Sequence, residues 1–177
     1  MKRIIVIFLI LALGTTLRVR AQKVETMVGD SWAEIPALQT QSELKPGWKI
    51  VDYQMKSKLV HYLSGGRATQ LTDGDRPAFR ITPGEEEVLV DYVVIRLKAA
   101  KYYRKIPKAR LMDNDYMRLE PSHFDIKAEN EAFICRPLQP FKAGEYILVC
   151  LSQSPIGELQ DLLVYPFSVI QDASRWP

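Results

Sequence analysis

The sequence predicts an all-β chain, an immunoglobulin-like or related Greek-key β-sandwich, entered after a short cleaved signal peptide. Three observations predict it. Short runs rich in Val, Ile, Tyr and Phe recur through residues 22–177, with turn signals between them roughly every eight to twelve residues. No stretch sustains a helical period. Residues 147–151, I-L-V-C-L, are apolar at every position, so both faces of that strand should be covered and the strand should be central.

The leader comes first. M-K-R is followed by the apolar run I-I-V-I-F-L-I-L-A-L, and Val19 and Ala21 supply small residues at a cut site. These are the parts of a secretory signal peptide, with cleavage after Ala21. The rival reading is a membrane anchor, but a run over residues 4–13 is about half the roughly 20 residues a bilayer requires. The expected organisation is a signal peptide at 1–21 and a single β-sandwich domain at 22–177. The expected location is the periplasm, the cell surface or the medium, with no transmembrane helix. The whole chain has 24 Lys and Arg against 21 Asp and Glu. The leader holds Lys2, Arg3, Arg18 and Arg20 and no acid, so 20 cations would face 21 anions, a net charge of −1. That balance gives no reason to expect nucleic acid as a partner.

Along the domain, K-V-E-T-M-V at 23–28 alternates weakly and reads as a first strand. Residues 31–47 read as irregular with a short strand, because Pro36 sits badly in a helix. Strands follow at 48–55 and 59–63. Ser64-Gly65-Gly66-Arg67 is a turn, where glycine supplies positive φ. Residues 68–71 return briefly, 72–76 turn, and 77–82 alternate with Phe79 and Ile81 on one face. Residues 88–98 carry the longest β signal, dense in β-branched side chains that disfavour helix. Short segments at 102–106, 109–112, 116–119 and 122–127 come next. Residues 131–151 read as a hairpin, two strands joined by a Pro- and Gly-containing loop. The last strand, 162–170, contains Pro166, which predicts an edge position or a bulge.

Two segments resemble a known group. V-V-I-R-L-K-A-A-K-Y-Y-R at 93–104 and R-P-L-Q-P-F-K-A-G-E-Y-I-L at 136–148 look like small exported bacterial β-sandwich proteins of uncharacterised function. There an R-L-K-x-x-K-x-x-R strand precedes a P-L-x-P-G-E-Y-type hairpin. The resemblance covers residues 77–169, and Phe141-Lys142-Ala143 stand as an insertion in its loop. It implies export and a sandwich, and brings no catalytic residue with it.

The candidate chemistry is sparse. Cys135 and Cys150 stand one on each arm of the expected hairpin. A disulfide suits an exported chain, whereas two buried thiols suit the apolar surroundings. His61 and His123 match no zinc spacing and read as surface or locally bonded. Asp113, Asn114, Asp115 and Glu120, and Asp73 with Asp75, are oxygen-rich turns that lack the full calcium loop. No metal or cofactor is expected. No nucleophile elbow, phosphate loop or dinucleotide fingerprint is present, so the chain is not expected to be an enzyme.

The strongest binding candidate is the basic run Lys98, Lys101, Arg104, Lys105, Lys108 and Arg110, interleaved with Tyr102 and Tyr103. Cations beside aromatics hold anionic polymers or sugars. The competing reading is a solvated edge strand that uses lysine against aggregation. The expected function is therefore a non-catalytic envelope protein acting as an interaction or accessory module. Its rivals are a glycan- or anionic-ligand-binding module, with Tyr102, Tyr103, Trp48 or Trp32 as stacking platforms, and a secreted hydrolase. The expected partner is an envelope protein or an anionic glycan.

Overall fold

The computed structural model describes residues 22–45, 49–50, 53–54, 58–72, 74–85, 87–106, 116–152 and 161–170. The expected leader, Trp48, Asp73, Lys108, Arg110, the 113–115 turn and the polar tail lie outside the described residues. The chain is all-β, with no α-helix among the described residues.

In chain order the strands are β1 (Lys23–Val28), β2 (Ser31–Glu34), β3 (Leu38–Gln39), β4 (Gln41–Lys45), β5 (Lys49–Ile50), β6 (Tyr53–Gln54) and β7 (Lys58–Ser64). Then come β8 (Leu71–Thr72), β9 (Phe79–Thr82), β10 (Tyr92–Arg96), β11 (Lys98–Ala99) and β12 (Tyr103–Lys105). The last are β13 (Met117–Arg118), β14 (Phe124–Glu129), β15 (Ala132–Pro137), β16 (Gly144–Cys150) and β17 (Leu163–Val169).

They form three antiparallel sheets stacked in a β-sandwich-like arrangement. The near sheet has the order β14-β15-β9-β1-β2, the middle sheet β13-β10-β16-β17-β3, and the far sheet β11-β12-β7-β4. β8 joins β17 in parallel, and β5 pairs with β6 separately.

Side-chain alternation explains the stacking. In a strand, neighbouring side chains point to opposite faces. In the middle sheet, Tyr92, Val94, Leu148 and Phe167 point one way and pack on Val24, Phe79 and Ile81 of the near sheet. Val93, Ile95, Ile147, Val149 and Val164 point the other way and pack with Leu63 and Ile106 on the far side. The middle sheet is thus covered on both faces, and from Glu145 to Cys150 β16 is buried at every position, as its unbroken apolar run requires.

The structure corrects several sequence expectations, among them the single strand expected at 48–55, whose described residues form two strands, β5 and β6, paired antiparallel. Residues 131–151 do not form a hairpin. β15 pairs with β14 and β9, whereas β16 pairs with β10 and β17, so residues 138–143 cross between sheets. Cys135 and Cys150 therefore do not face each other across a ladder. Both are buried, and no disulfide joins them. The β signal from Val88 begins later than expected, because residues Leu89–Asp91 form a 3-10 turn and the strand starts at Tyr92. Residues 31–47 hold three strands rather than one.

Pro166 lies inside the middle sheet, yet its missing N–H does no damage. Leu162 and Ser168 direct their N–H groups away from β16, to Thr40 Oγ1 (2.8 Å) and Gln70 O (2.9 Å). Pro166 has the same parity. On that side β3 covers Leu163 and Val164 and β8 covers Ser168 and Val169. Pro166 faces the gap between these two short partners, a local edge.

Candidate functional site

The basic, tyrosine-bearing run folds as the β11–β12 hairpin on the rim of the far sheet. The Ser64-Gly65-Gly66 turn positions it. Gly65 adopts φ +80° and donates its N–H to Tyr102 O at 2.9 Å. A Cβ on Gly66 would stand 2.7 Å from Ala100 O and 2.8 Å from Lys101 O, so only glycine allows the hairpin to pass so closely.

Alternation then divides the candidate residues. Lys98, Lys105 and Tyr62 are cross-strand neighbours in one row, and Tyr103 shares their face. Tyr103 is 46 % exposed and Tyr102 73 %. Lys101 is exposed, with Nζ 5.1 Å from the centre of the Tyr102 ring. On this outer face Glu43, Val60, Tyr62, Tyr103 and Lys105 line a shallow depression of about 170 Å³. Lys98 and Lys105 stand directly opposite each other, which is electrostatically unfavourable without an anion between them. Neither has an ion pair among the described residues.

Arg104 does not belong to this face. It points inward, is 2 % exposed, and belongs to a closed network. Its Nη1 lies 3.5 Å from Glu145 Oε2, and its Nε and Nη2 donate to Gly65 O (3.1 Å) and Ser64 O (3.3 Å). Glu145 also accepts from Ala68 N–H (2.7 Å) and Ser168 Oγ (2.6 Å). Burial pulls the Arg104 pKa down and the neighbouring carboxylate opposes this. The sequence reading missed Tyr62 and Glu43, which are brought to the face by β7 and β4. Tyr62 lay in the strand expected at 59–63 and Glu43 in a stretch read as irregular, and nothing local showed which strands would lie beside β12.

The histidines meet serine and carboxylate in two places, and neither place activates a nucleophile. Ser42, opposite His61 on β4, donates its hydroxyl directly to Asp161 Oδ1 at 3.1 Å. Ser122 donates to Glu120 Oε1 at 2.6 Å, and His123 Nε2 lies 3.7 Å from the same oxygen. A hydrolytic triad needs imidazole between serine and acid. In both places the serine proton already points at the carboxylate. The Cys135 thiol is pushed up to about 12 by burial, far from thiolate chemistry at neutral pH. At the other end of the near core, Glu87 accepts hydrogen bonds from Tyr92 Oη and Gly84 N–H. Among the described residues no group of three or more His, Cys, Asp or Glu side chains is arranged to hold a metal ion. No helix among them is long and apolar enough to cross a membrane.

His61 departs from its expected surface position. It is 1 % exposed, and neither ring nitrogen has a hydrogen-bond partner among the described residues. Desolvation holds its pKa below the ordinary 6.5, with Asp161 opposing. The unfolded chain therefore takes up a proton that the folded chain resists. Stability is expected to fall as the pH drops below 6.5. Thermal midpoints taken between roughly pH 8 and 5 should show this slope, and His61→Leu should flatten it. An undiminished slope in the variant would contradict the assignment. Glu25 contributes separately. Its bidentate Arg80 partner (2.6 and 2.8 Å) holds its carboxyl below 4.5, so its contribution is lost only at still lower pH.

No family model, curated protein or solved structure matches the chain.

Proposed function

We propose that the protein is a non-catalytic binding module of the bacterial envelope, exported by the leader at 1–21, that holds an anionic glycan on the outer face of its far sheet. The observation that carries this reading is the depression flanked by Tyr62 and Tyr103 with Lys105 and Glu43. Tyrosine rings offer flat apolar platforms with a polar edge, and the opposed pair Lys98 and Lys105 gains from an anion laid across it. A Greek-key or immunoglobulin-like ancestry belongs to the same proposal. It is supported by β9 and β15, which neighbour each other although far apart in the chain.

Polygalacturonate should bind the full chain and neutral dextran should not. Binding should weaken with added salt, because the contributing charges are exposed. Tyr103→Ala should reduce affinity by roughly five- to tenfold, and Lys98→Gln with Lys105→Gln should remove most of the salt dependence. Equal binding of dextran, or a Tyr103→Ala variant that binds as the parent does, would sink the proposal. A second reading is an accessory protein that docks an acidic protein partner on this face. The protruding Tyr102 favours it, since exposed aromatics serve as anchors at interfaces.

A further inference from the structure

We propose that the cleft where the near and middle sheets part is a binding site for a small organic carboxylate on an apolar body, with Arg96 as its anchor. The site is separate from the tyrosine and lysine face. Its volume is about 520 Å³, within the usual range for small-molecule sites. β10, β13 and β16 supply one wall. The crossing segment 138–143 and the turn before β14 supply the other.

The charge inside is one-sided. Arg96, Lys142 and His123 line the cleft, and no carboxylate does so among the described lining residues. Glu120, beside the turn, is engaged by Ser122 and His123. Leu138, which is 45 % exposed, Met117 and Phe141 make the apolar part of the walls.

Arg96 is the decisive group. It is half-buried, and among the described residues it makes one hydrogen bond, from Nη2 to Ala143 O at 2.9 Å, and no ion pair. Arg80 and Arg104 are each matched with a carboxylate. A guanidinium carries five N–H donors in a planar fork shaped for a carboxylate. A carboxylate ligand would supply the counter-charge that Arg96 lacks among the described residues.

Its placement depends on Gly144. A Cβ there would meet Arg96 Nε at 3.2 Å and Nη2 at 3.3 Å, and the residue adopts φ +153°. The guanidinium therefore packs close against the Gly144 backbone, whose φ favours glycine. It also borders a second depression of about 410 Å³ on its other side, which Arg67 helps to line. Arg96 beside the apolar groups of Met117, Leu138 and Phe141 suits a carboxylate carried on an organic body.

The test titrates the full chain with benzoate and with its uncharged analogue benzamide, followed by amide chemical shifts. Saturable benzoate binding is expected, with shifts at Leu138, Phe141 and Gly144 and roughly tenfold weaker binding of benzamide. Arg96→Gln should remove that preference without moving the thermal midpoint by more than a few degrees. If Arg96→Gln fails to fold, the parent decides alone. Benzamide binding as well as benzoate, shifts confined to Tyr62 and Tyr103, or no saturable binding at millimolar benzoate would each overturn the proposal. Because the polygalacturonate variants alter other residues, the two sites fail or stand independently.

Discussion

Glu145→Ala is expected to destabilise the protein by about 3–5 kcal/mol, the largest effect of any single polar substitution described. The carboxylate is buried and answers three groups at once: the Arg104 guanidinium, the Ala68 N–H and the Ser168 hydroxyl. Removing it leaves a guanidinium enclosed with only carbonyl partners, and an amide N–H without an acceptor. The loss comes mainly from those stranded groups, not from the intrinsic strength of the pair. Equilibrium denaturation would measure it, and a thermal midpoint lower by on the order of 10 °C should accompany it. Arg104→Met added to Glu145→Ala should recover part of the loss, since no buried charge then remains. A double variant as unstable as the sum of the singles would show that the two groups act independently.

Phe167→Ala is expected to cost a similar amount, about 3–5 kcal/mol, for a different reason. Phe167 is fully buried in the near core, its ring 5.0 Å from Phe79 and 5.5 Å from Tyr146. Tyr146 stacks in turn on Phe141 at 5.2 Å, and Phe141 meets Phe124 edge-on at 6.4 Å. The row runs from β17 through β16 to the crossing segment and β14. Truncation opens a cavity that the Phe79 and Tyr146 rings on either side cannot collapse into. Phe167→Leu keeps most of the volume and should cost well under half as much. Equal losses for the two variants in denaturant would argue that the cavity is not the cause.

Much of this fold is legible in the sequence, and the boundary of what is legible has a physical origin. A strand buried on both faces advertises itself by an unbroken apolar run, and residues 147–151 identify the middle sheet before any partner is known. Partner choice is not local. A hairpin and a crossing between stacked sheets both read as strand, loop, strand, so the step from β15 to β16 was indistinguishable from a hairpin. The same limit applies to Arg104. Its spacing from Tyr103 and Lys105 announces opposite faces, but not that Glu145, 41 residues away, would wait on the inner one. His61 could be buried only once β4, β7 and Asp161 were brought together. Arg96 lay in full view within R-L-K, yet its value as an anchor depends on Gly144 and on a cleft with no carboxylate among its described lining residues, both properties of the assembled fold.

The middle sheet also sets a schedule for the chain. The near and far sheets begin with strands from residues 23–82 and are completed by strands from 98–137, but the surface that both must cover is built mainly from β10, β16 and β17. The last of these ends at Val169. A chain emerging from the ribosome therefore presents its first half with no apolar partner, and neither core closes until almost the whole sequence has been delivered. Such long-range dependence slows folding and prolongs exposure of sticky strands. A product that stops short of β17 would have two unfinished cores rather than a smaller stable domain.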